Sequence, residues 1–208
     1  MEESLRRLRT DYIDLYYTHY DDESVPVSEF LTALDELVRE GKVREIAASN
    51  ITADRLSEAL AFSDAESLAK YVAIQPRYNL VSRDTYEGDL AATAARYGLA
   101  AVPYHGLASG FLTGKYRPGA DVDSARAGTA AEYLRTERGP RVLEALDKVA
   151  EAHGAEVATV ALAWLAAQPT VASPIASARN TGQLPALMAV ADLQLTADEL
   201  DLLSEASK

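Results

Sequence analysis

The chain has 208 residues, a formal net charge of −12 and 25% charged residues. This length fits one large domain or two small ones. The acidic balance argues against nucleic acid or an anionic membrane as the main partner, because phosphates would be repelled at long range. The absence of cysteine excludes a disulfide framework, a thiolate zinc site and a cysteine nucleophile. With only three widely separated histidines, we expect no metal site.

The sequence contains no membrane or export signal that we can identify. No apolar run approaches the roughly 20 residues that a membrane helix needs. The N-terminus is charged from its second residue and lacks the apolar core of a signal peptide. We therefore expect a cytoplasmic protein without a membrane partner.

Short apolar segments rich in β-branched or aromatic residues predict strands that begin about 30 residues apart, as in parallel βα units. The first four are residues 11–20, 43–49, 71–75 and 99–104. Helical patterns lie before and between them, and the last of these helices, over residues 89–97, ends at Gly98.

The pattern changes after residue 104. The segments predicted there are a loop over 106–128, helices over 133–153 and 159–168, a fifth strand over 171–177, and closing helices over 181–190 and 196–206. The last helix begins with Thr196 followed three residues later by Glu199, which is the pattern of a capping box.

Five consecutive βα units with short connections favour either a TIM-type barrel or a doubly wound sheet. No G-x-G-x-x-G motif follows the first strand, which counts against a dinucleotide-binding sheet of the Rossmann type. A complete barrel has eight strands and typically about 250 residues. We therefore predict an α/β fold that is part of a (β/α)8 barrel, with about five parallel strands.

Polar or aromatic side chains occur where each predicted strand ends, and in a barrel enzyme this rim forms the active site. They are Thr18 and His19, Ser49 and Asn50, Gln75, Tyr104, and Ser177 to Arg179. Turns are polar in any protein, so one such residue carries little weight. Polar or aromatic residues at the ends of all five predicted strands together favour an active site.

Two features of the sequence are compatible with phosphate binding, and each also has a simpler structural explanation. The loop with Gly106, Gly110 and Gly114 can present backbone N–H groups to a phosphate, or it can be a linker. Arg179 begins the helix after the last strand, a corner where barrels bind phosphate. It can equally be a solvated charge at the start of a helix.

Five strings, in order, resemble segments of the aldo-keto reductase family. They are SLRRLRTDYIDLYYTHYDD, LDELVREGKVREIAASN, AIQPRYNLVSRD, VPYHGLASGFLTGKY and PIASARNTGQL. The resemblance covers essentially the whole chain. It implies a single incomplete barrel domain over residues 1–208, with strands that match the fourth to the eighth of the family. It also implies reduction of small-molecule aldehydes or ketones with NADPH, and less often NADH, as the cofactor.

The resemblance also implies roles for individual residues. His19 matches the histidine that orients the substrate carbonyl. The implied cofactor-binding residues are Ser49, Asn50 and Gln75 for the nicotinamide amide, Tyr104 for its ring, His105, Leu107 and Ser109 for the pyrophosphate, and Ser177, Arg179 and Gln183 for the adenosine end with its 2′-phosphate.

The chain departs from the family pattern at several places. His105 and Gly106 stand where Ser-Pro is usual, Ser177 where glycine is frequent, and Ala186 and Leu187 where Glu-Asn is common. The last change removes adenine contacts and weakens the preference for NADP over NAD.

The catalytic Asp, Tyr and Lys of the family come from its first three βα units, which have no counterpart in this sequence. We therefore expect a catalytic site without these three groups and open sheet edges through which copies self-associate. Two alternatives stay open, a noncatalytic nucleotide-binding or regulatory module and an inactive fragment.

Overall fold

The computed structural model describes residues 1–117, 119 and 127–208. The chain forms two units, Met1–Pro76 with Tyr86–Val102, and Arg77–Thr85 with Pro103–Lys208. Within the described residues, no helix is long and apolar enough to cross a membrane. That part of the chain also brings together no group of three acidic or histidine side chains able to hold a metal ion.

The first unit alternates helices and strands. Its elements are α1 (Glu2–Leu8), β1 (Ile13–Thr18), α2 (Val27–Arg39), β2 (Val43–Ser49), α3 (Ala53–Glu66), β3 (Tyr71–Gln75), α4 (Asp89–Tyr97) and β4 (Ala100–Ala101). The four strands form one parallel sheet in the order β1-β2-β3-β4. The predicted α/β class, with parallel strands and surrounding helices, is therefore confirmed.

The core of the first unit lies around β2. Residues 46–49 of this strand are all buried, as expected for a strand covered on both faces. Helix α2 packs against β2 and α3, and it buries Leu31 and Leu34. The side chain of Thr52 caps α3 by accepting a hydrogen bond from the Arg55 amide, 3.2 Å away.

The second unit is mainly helical. Its helices are α5 (Ala127–Leu134), α6 (Arg138–His153), α7 (Val157–Ala166), α8 (Leu184–Met188) and α9 (Ala197–Ala206), with 3₁₀ turns at Ala108–Thr113, Thr181–Gln183 and Ala189–Ala191. Helix α7 is central and buried over residues 158–165. The indole of its Trp164 donates a hydrogen bond to Ser204 of α9 at 3.0 Å. The capping box of Thr196 and Glu199 is confirmed.

Residues 171–177, predicted as a fifth strand, form no strand, so the structure has four described strands where about five were predicted. Pro174 lacks the N–H group that a ladder needs, and a single backbone hydrogen bond, from Ile175 N to Pro103 O at 2.8 Å, joins this segment to residue 103. Pro103 has the same effect on the fourth predicted strand, which is reduced to Ala100–Ala101.

The long helix predicted over 133–153 begins only at Arg138, and Ala127–Leu134 forms a separate helix before it. The chain packs closely on itself where α6 begins. A Cβ added at Gly139 would lie 2.1 Å from the carbonyl oxygen of Tyr133, so only glycine fits there. The loop predicted over 106–128 lies partly outside the described residues, and its described part contains the 3₁₀ turn Ala108–Thr113.

A partly buried ion pair fixes the segment after β1 to the start of α3. Arg55 Nε lies 3.1 Å from Asp21 Oδ2, and these side chains are only 12% and 9% exposed. The same guanidinium donates to the backbone carbonyls of Asp22 and Val25. One arginine therefore holds the turn that follows His19.

We expect Arg55→Met to lower the free energy of unfolding by about 1.5–3 kcal/mol, because it removes the charge-assisted hydrogen bonds to the partly buried Asp21 carboxylate. Urea denaturation followed by circular dichroism measures this loss. Arg7→Met is the control, because Arg7 pairs with Glu3 at an exposed site and its removal should cost less than about 1 kcal/mol. Equal losses in the two variants would contradict the role assigned to the pair of Asp21 and Arg55.

Candidate active site

Side-chain hydrogen bonds link the carboxyl ends of three neighbouring strands in the first unit. Asn50 Nδ2 donates to the carbonyl oxygen of His19 at 2.7 Å and to Ser49 Oγ at 3.1 Å. Ser49 Oγ in turn donates to the carbonyl oxygen of Gln75 at 2.8 Å. The structure therefore brings His19, Ser49, Asn50 and Gln75 together, as the strand-end pattern predicts. We call these four residues the strand-end cluster.

The conformation of Asn50 makes these bonds possible. Its φ of 47° lies in the left-handed region, which asparagine tolerates better than most residues. The turn at this residue directs its amide back toward the ends of β1 and β2. Ser49 is almost fully buried, so its hydroxyl is a fixed part of the cluster.

His19 is the exposed member of the cluster. Its ring packs against the ring of Tyr20, with centroids 4.5 Å apart, and Tyr20 is 69% exposed. The backbone of His19 is held by Asn50 while its imidazole remains accessible to solvent. An accessible imidazole can donate a hydrogen bond to the oxygen of a small carbonyl compound.

A half-buried tyrosine adjoins the cluster and was not among the predicted site residues. Burial raises the pKa of Tyr17, and a side-chain hydrogen bond with Gln75 opposes part of that rise. The sequence contained one signal for this contact. Tyr17 shares a strand face with Leu15 and His19, because side chains alternate along a strand.

The second unit holds the predicted nicotinamide-stacking residue and the predicted pyrophosphate loop. Tyr104 is half-buried, and its ring stands edge-on to that of His105 with centroids 6.5 Å apart. His105 Nε2 lies 3.5 Å from Ser109 Oγ. The carbonyl oxygen of Leu107 accepts hydrogen bonds from the amides of Gly110 and Leu112, so this residue shapes the turn through its backbone.

Left-handed backbone is concentrated in this loop. His105, Ala108 and Ser109 have φ values of 65°, 46° and 57°, although none is glycine. Alternation of right- and left-handed residues turns successive N–H groups toward one side, an arrangement that binds anions. Strain of this kind is frequent at functional sites, where the surrounding structure maintains it.

Asn79, which was not among the residues predicted from the sequence, holds the strained backbone at His105 in place. It is fully buried, and its Nδ2 donates to the carbonyl oxygen of His105 at 3.0 Å. Its Oδ1 accepts a hydrogen bond from the amide of Val81 at 2.9 Å. The string AIQPRYNL contains this residue, but only the folded chain shows that it reaches His105.

Gly106 explains one departure from the family pattern. A Cβ at this position would lie 3.0 Å from Leu162 and 3.2 Å from Leu165, both on α7. The backbone after His105 is therefore packed closely against that helix. A proline ring in place of Gly106 would meet the same two side chains.

The predicted adenosine-end residues lie on the exposed segment after residue 175. Ser177, Arg179 and Gln183 are all exposed, and Gln183 Oε1 accepts a hydrogen bond from the Arg179 amide at 2.8 Å. Within the described part of the chain, the Arg179 guanidinium forms no ion pair. The Ile175–Pro103 hydrogen bond holds the start of this segment close to Pro103, the residue before Tyr104.

The sequence profile of the Aldo/keto reductase family matches residues 1–208. The chain belongs to this family. It is 33% identical over 219 aligned residues to Protein tas of Escherichia coli K12, an alignment that covers 96% of the chain and 63% of that protein. It is 34% identical to a putative voltage-gated potassium channel subunit beta of Schizosaccharomyces pombe, which it covers to 54% while using 87% of its own length.

A solved structure gives the same result for the fold. The glycerol dehydrogenase of Gluconobacter oxydans matches with a TM-score of 0.85 and 28% identity, over 99% of the chain and 61% of that protein. This likeness confirms the predicted fold class, which is part of a TIM-type barrel. The chain spans less than two thirds of the length of each of these relatives.

Proposed function

We propose that the chain binds NADPH and takes part in the reduction of small aldehydes or ketones to alcohols. The observation that carries this proposal is the strand-end cluster, in which hydrogen bonds fix His19, Ser49, Asn50 and Gln75 side by side. Two amides and a hydroxyl beside an accessible imidazole offer the donors and acceptors that a nicotinamide carboxamide and a carbonyl substrate need.

The residues present fit the chemistry of the cofactor at both ends. Ser49, Asn50 and Gln75 would hold the carboxamide, and Tyr104 would lie against the ring. The strained loop with His105, Leu107 and Ser109 would receive the pyrophosphate through its N–H groups. At the adenosine end, Ser177, Arg179 and Gln183 would hold the ribose and its 2′-phosphate.

The choice of NADPH over NADH rests on Arg179. Its guanidinium is exposed and forms no ion pair with any residue of the described ranges. A guanidinium matches the geometry of a phosphate, with which it forms charge-assisted hydrogen bonds. NADH lacks the 2′-phosphate, so this interaction is absent for it.

When bound, the cofactor supplies a hydride to the carbonyl carbon. A proton must reach the oxygen in the same reaction, which gives the alcohol. We propose that His19 donates a hydrogen bond to that oxygen and so favours the charge that develops on it. We propose that this chain has no counterpart of the catalytic Asp, Tyr and Lys of the family, so that His19 alone would replace only part of their work.

A second candidate is a noncatalytic nucleotide-binding or regulatory module. It is favoured by the similarity to a protein named as a channel subunit. The proposed cofactor-binding residues also outnumber the proposed catalytic ones. In either case we propose a cytoplasmic location. We also propose no nucleic-acid partner, because the chain carries a net charge of −12.

Titration of the chain with NADPH, followed by the cofactor's fluorescence, tests binding. We expect saturable binding of NADPH, and a Kd that rises at least about tenfold in Arg179→Gln with little change for NADH, because a charge-assisted contact is lost. Arg135→Gln is the matched control, since Arg135 is another exposed arginine of the same unit.

No binding of NADPH by the wild-type chain would overturn the proposal. If NADPH binds, turnover of 4-nitrobenzaldehyde in its presence distinguishes the two candidate functions. Reduction of the aldehyde supports the reductase, whereas binding of NADPH without turnover supports the noncatalytic module.

We also propose that copies of the chain associate through β1. Among the described residues, β1 pairs with β2 on one side and has no strand on the other. An unpaired edge offers a row of backbone donors and acceptors to another chain.

Hydrogen exchange at several protein concentrations tests this association. We expect the amides of β1 to exchange more slowly as concentration rises, while those of the central strand β2 remain unchanged. A rate for β1 that is independent of concentration, with a constant sedimentation coefficient, would refute the association.

A further inference from the structure

Arg77, an arginine of the second unit that has no assigned role, lies beside Tyr104. The two residues form a parallel bridge, and the amide of Tyr78 donates to the carbonyl oxygen of Tyr104 at 3.4 Å. Tyr78 is buried, and its ring centroid lies 5.8 Å from that of Trp164 on α7. Because successive side chains of an extended segment point to opposite sides, the Arg77 side chain shares a face with Tyr104 and points away from α7.

The far end of the Arg77 side chain is held by α5. Its Nη2 donates a hydrogen bond to the hydroxyl of Tyr133 at 3.0 Å. The ring of Tyr133 packs against that of Phe111, with centroids 5.1 Å apart, and Phe111 is fully buried. The backbone of Arg77 is thus tied to Tyr104, directly before residues 105–109, and its guanidinium is tied through Tyr133 to Phe111, shortly after them. The guanidinium is therefore held beside the strained loop.

The charge of Arg77 has no counter-charge in the described ranges. The chain has 32 acidic residues against 20 lysines and arginines, and other exposed arginines such as Arg44 and Arg117 each pair with an aspartate at 2.6 Å. Arg77 is exposed, and its guanidinium bonds instead to a neutral phenol. This bond uses one of the five N–H donors of the group. The remaining donors and the full positive charge are therefore available to an anion.

We propose that Arg77 binds the pyrophosphate of a dinucleotide held at residues 105–109, and that Tyr133 is a positioning residue that holds the guanidinium for it. This role rests on the proposed binding of NADPH. The left-handed residues of the loop offer backbone N–H groups, which carry only partial charges. A guanidinium beside them adds a full charge and matches the geometry of phosphate oxygens. Neither Arg77 nor Tyr133 is among the residues to which the family resemblance assigns a role.

The test compares Arg77→Gln with the wild-type chain by calorimetric titration with three ligands, namely NADPH, NADH and adenosine 2′-monophosphate. We expect the Kd values for NADPH and NADH to rise by the same factor, about tenfold, because both carry the pyrophosphate and lose a charge-assisted contact. The Kd for adenosine 2′-monophosphate, which has no pyrophosphate, should stay the same. Damage to the fold would weaken all three ligands. Arg135→Gln is the matched control, since it removes an exposed arginine of the same unit, and it should leave all three Kd values unchanged.

A double-mutant cycle shows whether Tyr133 acts through Arg77. Tyr133→Phe keeps the ring that packs on Phe111 and removes only the hydroxyl that holds the guanidinium. We expect it to raise the Kd values for NADPH and NADH by about two- to threefold, the effect of one neutral hydrogen bond. In an Arg77→Gln background, Tyr133→Phe should have no further effect, because the group that it orients is gone.

The outcomes separate this inference from the proposed function. If the wild-type chain binds NADPH and Arg77→Gln binds both dinucleotides equally well, the role of Arg77 is overturned while the proposed function stands. A rise in KM for 4-carboxybenzaldehyde but not for 4-nitrobenzaldehyde, with unchanged Kd values for the dinucleotides, assigns the anion to the substrate and also overturns it. An additive effect of Tyr133→Phe in the Arg77→Gln background overturns the positioning role. If the wild-type chain binds neither dinucleotide, the proposed function itself fails.

Discussion

The strand-end cluster depends on the need of backbone carbonyls for hydrogen-bond partners where a parallel sheet stops. The ladder satisfies the carbonyls within the strands, but those at the strand ends require other donors. Asn50 supplies one to His19, and Ser49 supplies one to Gln75. The same two side chains therefore join three strand ends and place four polar groups together. The atoms that meet this structural requirement are those of the proposed binding site.

The second unit uses a comparable arrangement around its loop. The left-handed conformation of His105 is unfavourable for a residue with a side chain, by an amount of order 1–3 kcal/mol. Asn79 offsets it by bonding to the carbonyl oxygen of His105, and Gly106 lets the following backbone lie against α7. In both units an asparagine fixes the backbone beside a candidate cofactor-binding residue. The chemistry of the site thus rests on side chains that position the main chain.

Much of the first unit could be predicted from the sequence because its signals are local. Three elements have the predicted bounds, namely the strands Val43–Ser49 and Tyr71–Gln75 and the helix Asp89–Tyr97. Each keeps one hydropathy pattern along its length, and a polar residue or a glycine marks its end. The convergence of His19, Asn50 and Gln75 could also be expected, because parallel strands end at one edge.

The rest depended on information that a single sequence does not contain locally. Residues 171–177 have the apolar character of a strand, yet Pro174 and Pro103 remove the donors that a ladder needs. Asn79 bonds to His105, which lies 26 residues further along the chain, so its role depends on a tertiary contact. The register between β2 and β3 shifts, so that Ile46 pairs with Tyr71 while Ala47 pairs with Ala73, and this shift has no signature in the residues of β3.

We propose that the ends of β1, β2 and β3 form the binding site for a nicotinamide. A crystal structure of the chain grown with NADPH tests it most directly. We predict that the carboxamide lies within hydrogen-bond distance, about 2.7–3.2 Å, of the side chains of Asn50 and Gln75. A cofactor bound elsewhere on the chain, with the strand-end cluster untouched, would contradict it.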